Sequence, residues 1–166
     1  MGFALSDMQL TSTAFEQGGP IPKKHTGEGV DKSPALSWSD APEGTKAFAV
    51  ICHDPDAPLV TPAGTYGYVH WVLYNIPPEA PGLVEGVTSE RLPAGALEGL
   101  NDWKRTGYGG PCPPIGRHRY FHKLYALDTV LAGMNKPTKA QVEAAMQGHI
   151  IAEAQLMGTH QKSSGR

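Results

Sequence analysis

His118, Tyr120 and His122 stand at alternate positions of the run HRYFHKLYAL, directly after a loop rich in glycine and proline that begins at Gly107. Alternate side chains of an extended chain share a face, so these two imidazoles and one phenol line one side while Arg119, Phe121 and Tyr125 line the other. In the loop, Gly109 and Gly110 let backbone N–H groups approach a ligand without a Cβ in the way. Pro111, Pro113 and Pro114 fix φ and keep the loop out of helix or sheet, while Cys112 helps to shape it. A rigid loop built against a polar strand end reads as the floor of a ligand pocket.

A second constellation is DPDAP, which places Asp54 and Asp56 two residues apart, on one side of an extended segment, with prolines restricting their swing. It reads either as the wall of a polar cleft or as an Asx-type turn whose carboxylates satisfy local backbone. His70, between Val69 and Trp71, is a third polar residue in apolar surroundings; taken alone, it reads as a core imidazole bonded to a carbonyl. His25, His149 and His160 lack comparable context and read as structural or solvated, and Arg117 and Arg119 as carboxylate partners. His70, His118 and an aspartate have the residue types of a zinc site, but no metal-ligand spacing such as HExxH supports one. A GxSxG elbow and a phosphate-cradling P-loop are both absent. No metal, cofactor or catalytic residue is therefore assigned, and the expectation is a protein that is not an enzyme.

These residues need strands to position them. KAFAVIC, bounded by Gly44 and DPDAP, reads as a strand buried on both faces that delivers Asp54 to its end. Gly67 to Asn75 alternates Tyr68, His70, Val72 and Tyr74 against Val69, Trp71 and Leu73, as a sandwich strand covered on both sides would. Pro77, Pro78 and Pro81 break the chain, and Leu83 to Gly99 reads as a connection with one short strand. A helix is predicted from Thr138, which makes a capping box with Gln141, to Met157 before Gly158, with Gly148 able to divide it in two.

Twenty glycines and 15 prolines scattered through 166 residues suit many short strands joined by tight turns in a single domain, residues 1–166, with 162–166 a frayed tail. A net charge of −2 leaves no basic footprint for nucleic acid or for an acidic membrane surface. No run of about 18 apolar residues or signal-type N-terminus is seen, so the expectation is a cytoplasmic protein without membrane insertion. Two cysteines are too few for a disulfide framework.

Taken together, FEQGGPIPKKHTGEG, SPALSW, APEGTKAFAVICHDPDAP, YVHWVLYNIP, NDWKRTGYGGPCPPIGRHRYFHKLYALD and GHIIAEAQLMG resemble the phosphatidylethanolamine-binding protein family, closest to its bacterial Raf kinase inhibitor-like branch. The resemblance covers nearly the whole chain, and the ordered combination of DPDAP, GPCPP and HRYFHKLYALD is specific. It implies a mainly β fold, two antiparallel sheets packed as a sandwich with a few peripheral helices including one near the C-terminus. It also implies a non-enzymatic pocket for phosphate-like or phospholipid head groups formed by Asp54, Asp56, His70, Gly110, Pro111, His118 and Tyr120. A cis bond between Ala57 and Pro58 is a further implication, since only X-Pro bonds make cis inexpensive. Some relatives act on protein partners such as a kinase, and a homodimer is compatible with the chain.

Two segments depart from the family pattern: His25 and Glu28 stand where bacterial members often show Cys and Asp, and His53 where an acidic residue is frequent. His53 is therefore expected to add a third imidazole near the site. Asp54 and Asp56 are expected to orient His70 and His118 and raise their pKa, while Gly110 N–H and Tyr120 O–H donate to the anion. Two other functions fit the same residues. One is a metal or acid-base hydrolase of phosphoesters using Asp54, His70 and His118; the other is an interaction or kinase- or protease-inhibiting module whose pocket is vestigial.

Overall fold

A computed structural model describes residues 7–57, 67–88, 90–111 and 117–161. The Ala57–Pro58 bond, Cys112, Pro113, Pro114 and the tail 162–166 lie outside the described residues. The strands are β1 (Gln9–Thr11), β2 (Leu36–Ser39), β3 (Ala47–Asp54), β4 (Tyr68–Ile76), β5 (Gly82–Leu83), β6 (Leu97–Glu98), β7 (Arg117–Leu127) and β8 (Ile150–Gln161), with helix α1 (Lys139–Met146) before β8. They form two antiparallel sheets, β1-β2-β5 and β6-β4-β3-β7-β8. The fold is thus mainly β, with α1 near the C-terminus and a one-turn 3-10 helix at Lys23–His25.

The larger sheet is covered on both faces, which explains the unbroken apolar reading of β3. On one face Phe48, Val50, Trp71, Leu73 and Leu124 pack against Leu10, Leu36, Trp38 and Leu83 of the small sheet. On the other, Ala49, Ile51, Val72, Tyr74 and Tyr125 lie under Val142 and Met146 of α1. Full burial of such side chains contributes about 1.5–3 kcal/mol each, so this double cover is what holds the centre of the sheet rigid.

The C-terminal segment differs from the expectation of a helix reaching Met157. Thr138 does cap α1, accepting from Gln141 N–H while the Gln141 side chain accepts from Thr138 N–H, but the helix ends at Met146. Gly148 takes φ +84°, a left-handed conformation that ends the turn, and Ile150 onward pairs with β7 from Leu127↔Ile150 to Arg117↔Gln161. Ala, Gln, Glu and Met favour helix only weakly, and the long ladder overrides that preference. Gly158 is a spacer within β8: opposite Tyr120, a Cβ there would sit 2.6 Å from Ile21 Cγ1 and 2.7 Å from Phe15 Cε2.

Candidate functional site

β3 ends at Asp54, whose side chain faces the sandwich interior and is almost wholly buried. Asp54 Oδ1 accepts the N–H of Asp56 at 2.8 Å, an Asx turn, while Oδ2 lies 2.6 Å from His118 Nδ1 of β7. The Asx-turn reading of DPDAP is therefore present: the local turn aims the carboxylate, and the carboxylate holds the imidazole. With the side chains only 4% and 8% exposed, this is a buried charge-assisted pair whose members need each other.

Alternation along β7 then sets Tyr120 on the same face, its ring stacked 6.4 Å from that of His118. His122 is also on that face but deeper, with Nε2 3.6 Å from the buried Cys52 Sγ. Burial pushes the His122 ring down to about 3 and raises the Cys52 thiol, so both are inert core groups.

His70 arrives by a device that face-counting missed. Cys52 pairs with Trp71, but His53 pairs with Val69, so His70 is the extra residue of a β-bulge. Strict alternation would put His70 with Val72 and Tyr74 beneath α1. The bulge instead turns its ring toward Tyr120, edge-on at 5.3 Å. His70 Nδ1 lies 2.6 Å from Gly109 O, and Gly109 N–H donates back to His70 O at 3.1 Å. Its orienting partner is thus a carbonyl, where an aspartate was expected. Burial lowers its pKa, opposed by the Gly109 and Gly110 carbonyls and by Asp54 and Asp102, where a raised value was expected.

Asp56 also plays a different part from the expected one. Arg119 Nε and Nη2 donate to its two oxygens at 2.9 and 2.8 Å, and Arg119 N–H adds a third bond at 2.9 Å. These bonds hold the carboxyl down at about 2. Arg119 is accordingly a carboxylate partner, and Asp56 braces the start of β7 against the Asp54 turn.

Gly110 is beside the cluster, but its N–H, expected to face an anion, donates to Asp31 Oδ1 at 2.8 Å. Asp31 is part of a clasp: Tyr108 O–H donates to His25 O at 2.6 Å, and Gly27 N–H to Pro111 O at 2.8 Å. His25, fully buried, bonds Lys32 O through Nδ1 at 2.8 Å, and His160 Nε2 lies 2.9 Å from Glu28 Oε1. The segment departing from the family pattern thus braces the glycine loop. A Cβ on Gly110 would collide with His25 O and Asp31 Oδ1 and come within 2.9 Å of Thr26 Cα. Gly110→Ala is therefore expected to cost about 1–3 kcal/mol by overpacking, read as a lower urea midpoint at unchanged slope. A midpoint equal to wild type would mean that the clasp yields freely.

Trp103, Tyr68 and Asp102 complete the wall and were not singled out by sequence. Trp103 packs edge-on against Tyr68 at 4.8 Å and His70 at 5.2 Å, and Arg105 lies 5.9 Å over its ring. Asp102 fastens this loop to the bulge, accepting Val69 N–H at 2.7 Å and donating its own N–H to Val69 O at 3.0 Å. A partly exposed Trp beside Asn-Asp and ahead of GYGG was the available signal. His53, in contrast, faces the other side of the sheet against Phe121, 6.0 Å away, because alternation opposes it to Asp54. Burial, then the Lys139 and Lys123 charges, push it down to about 4, so it adds no charge to the site in mildly acidic solution.

Among the described residues no group of three or more His, Cys, Asp or Glu is placed to hold a metal ion, and no helix is long and apolar enough to cross a membrane.

Residues 11–161 match the family model described as phosphatidylethanolamine-binding protein. A UPF0098 protein of Methanothermobacter thermautotrophicus is 46% identical over 156 residues, 93% of this chain and 99% of that one. A crystal structure of a phosphatidylethanolamine-binding protein homolog from Chlamydia trachomatis superposes with TM-score 0.86 at 45% identity, covering 96% of this chain and all of the other. That of E. coli YbcL, described as a member of the mammalian family, gives 0.87 at 34% identity, covering 95% of this chain and 100% of that one.

Proposed function

The chain belongs to the phosphatidylethanolamine-binding protein family, and we propose that the Asp54–His118 pair and its aromatic surroundings bind a small oxyanion or phosphorylated head group without turning it over. The observation that carries this reading is the 2.6 Å bond itself. A carboxylate on Nδ1 fixes the ring so that Nε2 is the nitrogen left for a ligand, and a charged ring would donate from there. Asp56, Asp31 and Asp102 each accept from protein N–H groups, so their charge is directed into the scaffold. The face toward a ligand is left to His118, His70 and Tyr120, with Trp103 and Tyr68 as apolar wall.

Titration calorimetry with inorganic phosphate and phosphoethanolamine tests this. Wild type is expected to bind both, and His118→Ala to bind at least about tenfold more weakly, since a hydrogen bond to a charged group is worth roughly 1.5–3 kcal/mol. Equal affinity in the variant would remove His118 from the site. The dyad geometry also suits a general base, so phosphate release from added phosphoethanolamine, measured alongside, would favour the hydrolase reading.

A further inference from the structure

His25 ends the one-turn 3-10 helix in the segment that clasps the glycine loop, and its side chain has no exposed surface. A carbonyl oxygen has no proton to give, so the 2.8 Å contact with Lys32 O places the imidazole hydrogen on Nδ1. In the neutral ring Nε2 then carries a lone pair, and this buried nitrogen has no hydrogen-bond partner among the described residues. The acid facing it is Glu85, whose Oε1 lies 3.8 Å away, too far for a hydrogen bond. Lys32 and Lys24, both far more exposed than His25, hold that carboxylate at 2.8 and 3.2 Å. Their bonds keep the Glu85 carboxyl down at about 2, so it is charged wherever an imidazole titrates. The other charged and titratable groups around the ring are Lys23 in the same turn, Tyr108 on the His25 carbonyl, Asp31 on Gly110 N–H, and His122 in the core. The lysines and His122 oppose a charge on His25, while Glu85 and Asp31 favour it.

We propose that His25 and Glu85 form a proton-operated latch: in mildly acidic solution Nε2 takes a proton and draws the Glu85 carboxylate from the two lysines onto the ring, fastening the clasp behind the glycine loop. In the neutral state a lone pair faces a carboxylate and repels it; one proton turns the same two groups into a charge-assisted pair. Giving up the lysines costs little, because exposed ion pairs contribute little, whereas a hydrogen bond between charged groups at a buried ring is one of the strong ones. The ring acts on the loop through its own backbone. The His25 carbonyl accepts Tyr108 O–H at 2.6 Å, and next to it Gly27 N–H donates to Pro111 O and Gly110 N–H to Asp31 Oδ1, each at 2.8 Å. Glu85 is anchored in turn, since the following Gly86 N–H donates to Ser33 O at 2.9 Å. A closed latch therefore ties three separate stretches of chain, 25–33, 85–86 and 108–111, into one unit. Acid tightens this corner of the fold while it works against the neutral imidazole of His122 in the core.

Glu85→Gln is the test, and because Glu85 lies at the surface the variant is expected to fold. Nitrogen-15 NMR of the histidine rings and hydrogen exchange of the Gly27 and Gly110 amides are measured on wild type and variant at pH 7.5 and 5.5. In wild type, His25 should pass from the Nδ1–H tautomer at the higher pH to a ring protonated on both nitrogens at the lower one, and in the variant it should remain the Nδ1–H tautomer at both. Protection of the two clasp amides in wild type relative to the variant should be near unity at pH 7.5 and about tenfold at pH 5.5. Comparison at one pH removes the loss of stability in acid that both proteins share, and a Glu85 that only props the surface would give the same ratio at both values. A ratio that pH does not change, or a wild-type His25 ring still carrying one proton at pH 5.5, would overturn the latch.

Discussion

Asp54→Ala is expected to lower the unfolding free energy by about 3–5 kcal/mol and to abolish phosphate binding, the larger effect of any single substitution at the site. Two separate losses add up. Removing the carboxylate leaves His118 Nδ1 buried without its partner, and it leaves the Asp56 N–H without the acceptor that closes the Asx turn. Asp54→Asn separates them. Asparagine Oδ1 can still close the turn, but its Nδ2 then faces His118 Nδ1 and donates to it, which moves the ring proton to Nε2 and removes the charge that compensates an imidazolium. The asparagine variant should therefore retain most of the stability that alanine loses, yet bind phosphate poorly. Urea unfolding and calorimetry on both proteins give the comparison. An alanine variant within 1 kcal/mol of wild type would show that the pair anchors nothing.

The pair was legible in sequence because it depends on alternation and order: DPDAP ends an apolar run, and HRY opens an alternating one, so adjacent strands bring Asp54 and His118 to one end of the sheet. Tyr120 followed from the same periodicity. What was not legible depends on the partner strand. The bulge that turns His70 toward Tyr120 exists only as a mismatch between β3 and β4, and counting residues along β4 alone puts the ring on the wrong face. The strand β8 was masked in the same way, since its Ala, Gln, Glu and Met become extended only once β7 offers a ladder. Asp31 lies 79 residues from Gly110 in sequence, with a left-handed φ of 67°, and nothing local shows that its carboxylate takes the N–H that a ligand was expected to take. Reading that N–H as free missed the acceptor it already has.

Buried neutral histidines make acid the strongest global perturbant of this fold. Burial holds His122 down to about 3, His53 to about 4, and lowers His70, against an ordinary value of 6.5. In this direction the unfolded chain binds protons that the folded chain refuses, so the unfolding free energy rises with pH across the window and falls as pH drops below 6.5. Each fully refused proton is worth about 1.4 kcal/mol per pH unit. His122 is deeply buried and counts nearly in full, His70 adds its share only above its own lowered value, and the half-buried His53 counts for less and stops contributing once pH passes its own value near 4. The expected slope between pH 6 and 4 is at least the roughly 1.4 kcal/mol per pH unit that His122 alone supplies, with His70 and His53 adding to it in the upper part of the window, which is a large share of an ordinary stability of about 5–15 kcal/mol. Asp56, held at about 2, adds its own loss only at still lower pH, between roughly 4 and 2, as its bonds to Arg119 are protonated away. Urea unfolding at half-unit steps from pH 7 to 4 measures the slope. His122→Phe, which keeps an aromatic ring beside Phe15 but cannot take a proton, should reduce it by about one proton's worth, 1.4 kcal/mol per unit. A wild-type stability flat from pH 6.5 to 4.5, or a variant with unchanged slope, would mean that these imidazoles reach water in the folded state and titrate as they do unfolded.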